Sequence, residues 1–167
     1  VKRTARWLLA IAVALTGAFL LLRTPDTDPA AMRAKYGGAP SQFVDLGGGL
    51  TVHLRDEGPR DAPVIVLLHG SNADLHTWGT WTEALKGKYR VIRYDTIGHG
   101  LTGGVADKDY SPAAMVRLVD RVADQLGLTR FVLGGNSMGG GISALYAIEH
   151  PERLAGLVLV DAGGAPK

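Results

Sequence analysis

The stretch Phe131-Val132-Leu133-Gly134-Gly135-Asn136-Ser137-Met138-Gly139-Gly140 decides how the rest of the chain is read. An apolar run, Phe131 to Leu133, has strand character, and a helix is expected from Gly139 to about Glu149, ending before Pro151. Between them Gly135 to Gly139 fits G-x-S-x-G. A strand that turns into a helix over so few residues must bend sharply at Ser137. The bend strains the serine backbone and leaves its Oγ clear of the sheet edge, which is why small residues are needed two before and two after it. The competing reading is a phosphate cradle at a helix N-terminus. It fails on spacing: counted from Gly134, the third position is Asn136 where a dinucleotide fingerprint needs glycine, and no Lys-Ser/Thr pair follows as a P-loop requires. Ser137 is therefore read as a nucleophile.

Working outward, Val64 to Leu68 and Val91 to Tyr94 are further apolar runs suited to strands buried on both faces, and Leu157 to Val160 is another strand. Helices are expected around Trp78, Trp81 and Leu85 and from Ser111-Pro112 onward, where serine caps and proline occupies the first turn. The second of these carries Val116, Val119, Val122, Ala123 and Leu126 on one face and stops at Gly127. Residues 41–46 and 50–55 alternate apolar and polar about Gly47-Gly48-Gly49, a hairpin with one buried face, so that His53 is expected to point outward. Strand and helix alternate, which makes the fold class α/β with a mostly parallel sheet and flanking helices. Gly98-His99-Gly100-Leu101-Thr102-Gly103 is a literal G-x-G-x-x-G, but the next helix signal lies at Ser111 and not inside the glycines, so nucleotide binding is not expected there.

The 167 residues suffice for one domain, and the 23 glycines cluster instead of recurring at a fixed period, which argues against repeat architectures. The absence of cysteine removes thiol nucleophiles, disulfides and thiolate metal sites. Residues 1–23 carry Lys2, Arg3, Arg6 and Arg23 and no acid, while the remainder has 14 basic and 16 acidic residues. The positive charge therefore belongs to the N-terminus, and no basic stripe marks a nucleic-acid partner.

The uncharged run from Trp7 to Leu22, broken only by Thr16 and Gly17 and flanked by cations, has the character of a membrane anchor. A cleaved signal and a buried helix are the rivals; the small-residue site at Thr16-Gly17-Ala18 precedes further apolar sequence, which favours the uncleaved anchor. The short N-terminal tail places the main domain outside the cytoplasm, although the flanking cations are evenly divided. The expected organisation is an anchor or signal over 1–23, a Pro- and Gly-containing linker over 24–40, and the domain over 41–167.

From residue 41 onward the chain resembles the α/β-hydrolase superfamily, most nearly its small-molecule esterases and carbon-carbon bond hydrolases. The resemblance rests on His69-Gly70-Ser71, similar to that family's oxyanion loop, on Asp95-Thr96-Ile97-Gly98-His99-Gly100, similar to its D-x-x-G-x-G turn, and on the Gly135 to Gly140 elbow. It also rests on His150-Pro151-Glu152-Arg153-Leu154, followed by Leu157 to Asp161. It implies Ser137 as nucleophile, the backbone N–H groups of Ser71 and Met138 as the oxyanion hole, a small-molecule substrate, and neither cofactor nor metal. Serine at 137 argues against the dehalogenase and epoxide-hydrolase branches, which use a carboxylate nucleophile.

A serine hydrolase of this family also needs an acid and then a histidine after the serine. His150 alone follows Ser137, at the end of the helix leading away from it, where it reads as a helix C-terminal cation. Asp161 ends a strand where some members place their acid and is a candidate for that role, against the plainer reading of a loop residue. The expectation is an N-terminal portion of such a domain, inactive by itself; a non-catalytic relative serving as a binding module is the alternative.

Overall fold

The computed structural model describes residues 2–24 and 26–164. The chain divides into two compact units, Val1–Ala31 and Met32–Lys167. In the first, α1 (Lys2–Leu22) takes in the basic residues ahead of the apolar run; its 21 residues span about 32 Å, against about 24 Å for the apolar run alone. Arg3–Leu22 is long and apolar enough to cross a membrane, and its leucines and Phe19 are exposed. Within the stretch read as a linker lies a short helix, α2 (Pro29–Tyr36), started by the Asp28 carboxylate, which accepts from the N–H groups of Ala30 and Ala31.

The second unit is built on one six-stranded sheet: β1 (Ser41–Asp45), β2 (Thr51–Glu57), β3 (Val64–Leu68), β4 (Arg90–Tyr94), β5 (Phe131–Asn136) and β6 (Leu154–Val160). The order is β1-β2-β4-β3-β5-β6, antiparallel from β1 to β4 and parallel from β4 to β6. Helix α4 (Pro112–Gln125) begins where the Ser111 side chain accepts from Ala114 N–H, with Pro112 in its first turn. It buries Met115, Val116, Leu118, Val119 and Val122 with α5 (Met138–Glu149) against Val66, Leu68, Ile92 and Leu133 of the sheet. At 1.5–3 kcal/mol per fully buried side chain, those five supply on the order of 10 kcal/mol before chain entropy is subtracted.

The opposite face is smaller: Leu67 and Val91, one residue out of phase with Leu68 and Ile92, pack on Trp78 and Leu85. Here the expected single helix divides. Asp74 caps a 3-10 turn, Leu75–Trp78, and α3 (Gly79–Leu85) follows; Trp78 is buried, whereas Trp81 is 45% exposed and meets Trp78 edge to face.

The hairpin needs a larger correction. β2 lies between β1 and β4, so Val52, His53 and Leu54 are all buried and His53 does not point outward. Period-two alternation identifies a half-exposed strand, and β2 is an interior one.

Candidate active site

Ser137 stands alone between β5 and α5, at φ 50° and ψ −113°. A non-glycine residue there stores on the order of 1–3 kcal/mol, and surrounding structure must hold it. The holding contacts are all backbone. Ser137 N–H donates to Val160 O at 3.0 Å, and Ser137 O accepts from Gly141 N–H at 3.0 Å and Gly163 N–H at 2.8 Å. The flanking glycines are there for close approach: a Cβ on Gly135 would collide with Gly139 O, and one on Gly139 with Leu68 O. The side chain itself is exposed, and its Oγ has no hydrogen-bond partner among the described residues.

The segment after β3 passes directly over this turn. A Cβ on Gly70 would lie 3.2 Å from Ser137 Cβ, and Ser71 Oγ sits 3.5 Å from Met138 Sδ. The backbone N–H groups of Ser71 and Met138 make no hydrogen bond among the described residues. Two free donors thus flank an unencumbered hydroxyl, one of them at the N-terminus of α5, where helix dipole and unpaired N–H groups favour negative charge.

The turn after β4 anchors the neighbouring loops. The Asp95 carboxylate is buried and accepts three hydrogen bonds: from His53 Nδ1 at 2.7 Å, Leu75 N–H at 2.8 Å and Leu101 N–H at 2.8 Å. Burial pushes its pKa up, but those three donors outweigh it and hold the carboxyl below its ordinary value. Thr102 closes the set, accepting from His53 N–H and donating to Asp95 O. Alternation concealed this His53–Asp95 pair, and the sequence signal that marks it is an acid placed immediately after a buried strand. His69 is buried as well: Nδ1 lies 2.8 Å from Gly70 O, and Nε2 accepts from Thr96 N–H at 3.0 Å. Burial lowers its pKa, and this outweighs the opposing effects of Gly70 O, Asp95 and Asp74; His99 adds to the lowering.

His150 sits at the far end of α5, 12 helical residues from Ser137 or about 18 Å. It stacks on Tyr146 and lies 3.7 Å from Asp120 and 3.9 Å from Glu152. Asp161 is exposed at φ 46° in the bend after β6, close in sequence to the Val160 and Gly163 contacts that hold Ser137, but its carboxylate makes no hydrogen bond among the described residues. No group of three or more His, Asp or Glu positioned for a metal occurs among the described residues. An open apolar groove of about 680 Å³, lined by Met115, Met138, Ile142, Leu145, Ile148 and Leu159, adjoins the turn.

Residues 63–166 match the family model described as alpha/beta hydrolase fold. The chain belongs to the α/β-hydrolase family. It is 34% identical to the 2-hydroxy-6-oxononadienedioate/2-hydroxy-6-oxononatrienedioate hydrolase of Escherichia coli O81 (strain ED1a), over 75% of this chain and 46% of that protein. Among solved α/β hydrolases it is similar to 2-hydroxy-6-oxo-6-phenylhexa-2,4-dienoate hydrolase from Rhodococcus sp. strain RHA1, with a TM-score of 0.68 and 26% identity over 75% of this chain and 47% of that one. A bacterial membrane phospholipase A matches with a TM-score of 0.73 and 28% identity over 100% of this chain and 55% of that one. The chain spans about half the length of the curated relatives it matches.

Proposed function

We propose that the protein is a serine hydrolase that cleaves an ester or related acyl bond, or a carbon-carbon bond, of a small molecule through an acyl-enzyme at Ser137. The observation that carries this reading is the strained, exposed serine with two unpaired backbone N–H groups beside it. Attack by Ser137 Oγ on the substrate carbonyl carbon forms a C–O bond and moves an electron pair onto the carbonyl oxygen. The N–H groups of Ser71 and Met138 donate to that oxyanion, and an arrangement fixed in advance stabilises it by several kcal/mol without reorganisation. Collapse restores the carbonyl and expels the leaving group, which takes the proton that the hydroxyl surrendered to a base; water then hydrolyses the acyl-enzyme.

No imidazole is hydrogen-bonded to Ser137 among the described residues, so the base is assigned to sequence other than residues 1–167, and the orienting acid either to that sequence or to Asp161. Asp161 stays a candidate for the acid. Residues 1–167 alone then have negligible turnover, and the second reading, a non-catalytic relative, draws on the same missing base.

The relatives named 2-hydroxy-6-oxononadienedioate/2-hydroxy-6-oxononatrienedioate hydrolase and membrane phospholipase A support a hydrolase without choosing among substrates. Helix α1 is assigned as a membrane anchor or signal, since its apolar stretch is flanked by cations and suits a bilayer in length. The test is Ser137→Ala in the whole protein, assayed with p-nitrophenyl esters: turnover falls to background while thermal stability is kept. Turnover that survives the substitution removes the reading.

A further inference from the structure

We infer that His69 is a positioning residue, whose neutral ring, protonated on Nδ1, fixes the orientation of the Gly70–Ser71 peptide and hence the direction of the Ser71 N–H. The inference rests on the reading of that N–H as an oxyanion donor and explains what holds it in place.

The argument runs through hydrogen-bond polarity. Thr96 N–H is a backbone donor and lies 3.0 Å from His69 Nε2, so Nε2 must accept and carries no proton. In a neutral imidazole the proton is then on Nδ1, which faces Gly70 O at 2.8 Å and donates to it. Gly70 C=O and Ser71 N–H belong to one peptide unit, planar and trans, so the two groups point in opposite directions. Fixing the carbonyl fixes the N–H, and a rotation of that plane would turn the donor away from the site. The ring has no freedom to release the plane, because it is fully buried, packed edge to face on His99 at 5.2 Å, and tied at Nε2 to the turn after β4. That turn is itself held by the three donors on Asp95, one of which is the N–H of Leu75, four residues beyond Ser71. The oxyanion loop is therefore fastened at two points, Gly70 through His69 and Leu75 through Asp95, with Ser71 N–H between them and free.

The experiment separates orientation from stability with two substitutions in the whole protein. Asn places an amide N–H near the position of Nδ1 and keeps a donor for Gly70 O, leaving Thr96 N–H unpaired; Gln reaches the position of Nε2 with an acceptor for Thr96 N–H, leaving Gly70 O without its donor. His69→Gln is expected to lower kcat by about 100-fold with KM within about threefold, whereas His69→Asn, although less thermostable than His69→Gln because a buried N–H is orphaned, stays within about tenfold of the parent. Activities that follow thermostability instead, with Gln above Asn, overturn the inference. A second measurement does not depend on the variants folding or on turnover: ¹⁵N NMR of the parent's histidine rings near neutral pH, with His69 expected as protonated Nδ1 and bare Nε2. A ring protonated on Nε2, or on both nitrogens, overturns it. Failure of the nucleophile reading would show separately, as turnover in Ser137→Ala.

Discussion

The C-terminal ends of β3, β4 and β5 and the outer side of β6 and α5 are unlike in every physical respect. At the first, polar side chains are tied into neighbouring loops and backbones touch: Asp95 takes three donors, His69 bridges two loops, and glycines stand where any Cβ would collide. At the second, Leu157, Val158 and Leu159 of β6 and Leu145 and Ile148 of α5 are exposed, and β6 has no strand on its far side among the described residues. The difference teaches that the turn carrying Ser137 is held by local contacts reaching from β2 to the segment just after β6, while the apolar surface that adjoins it is a face without a cover. Order at one edge does not depend on closure at the other.

That contrast is broken most forcefully at the rigid edge. Gly139→Ala puts a methyl group against Leu68 O and His69 O, two backbone atoms that cannot yield, and is expected to cost about 3 kcal/mol or more in urea unfolding. Tolerance of the alanine would mean the turn is looser than described. Next in size is a pair of substitutions at one position. Ser71→Ala keeps the backbone donor and is expected to change kcat less than about threefold, whereas Ser71→Pro deletes it and costs about 100-fold; equal losses would assign the role to the hydroxyl.

A smaller effect comes from acid. The folded-state pKa of His69 is lowered by burial from 6.5, so above 6.5 the neutral ring's contribution to stability is whole. As pH falls from there through the folded value, the unfolded chain binds a proton that the native state resists, and the contribution is lost. Asp95, Asp74 and His99 are the neighbouring groups whose charges act on the ring. Stability of the parent is expected to fall more steeply below about pH 6.5 than that of His69→Asn; parallel curves would contradict the assignment. Smallest of all is the effect at the open edge: Val158→Lys should change stability by no more than about 0.5 kcal/mol yet reduce association of residues 1–167 in light scattering, because a charge blunts an exposed strand edge. Unchanged association would place the sticky surface elsewhere.

What the sequence shows and what it hides follow the same division. The turn at Ser137, the cap at Ser111 and the parallel strands are legible because each rests on local chemistry: a steric demand, a side-chain acceptor, a run buried on both faces. His53 was misplaced because its surroundings come from β1 and β4, strands that lie on either side of β2 only after folding. Trp81 sits on a helical spacing with Trp78, but a 3-10 turn ahead of α3 shifts the phase and leaves it exposed. Oxyanion donors are backbone groups, so nothing in residue type distinguishes Ser71 N–H; the family resemblance named it, and the pinned loop gives the physical reason a free donor stands there.

The central claim is that Ser137 is a nucleophile facing a preformed hole, and covalent trapping tests it most directly. The whole protein, treated with a fluorophosphonate and digested, is expected to carry the phosphonyl group on Ser137 by peptide mass spectrometry, with no label after the protein is unfolded before treatment. Ester hydrolysis by an active preparation in which Ser137 stays unmodified, or label on another residue that abolishes turnover, would contradict the account.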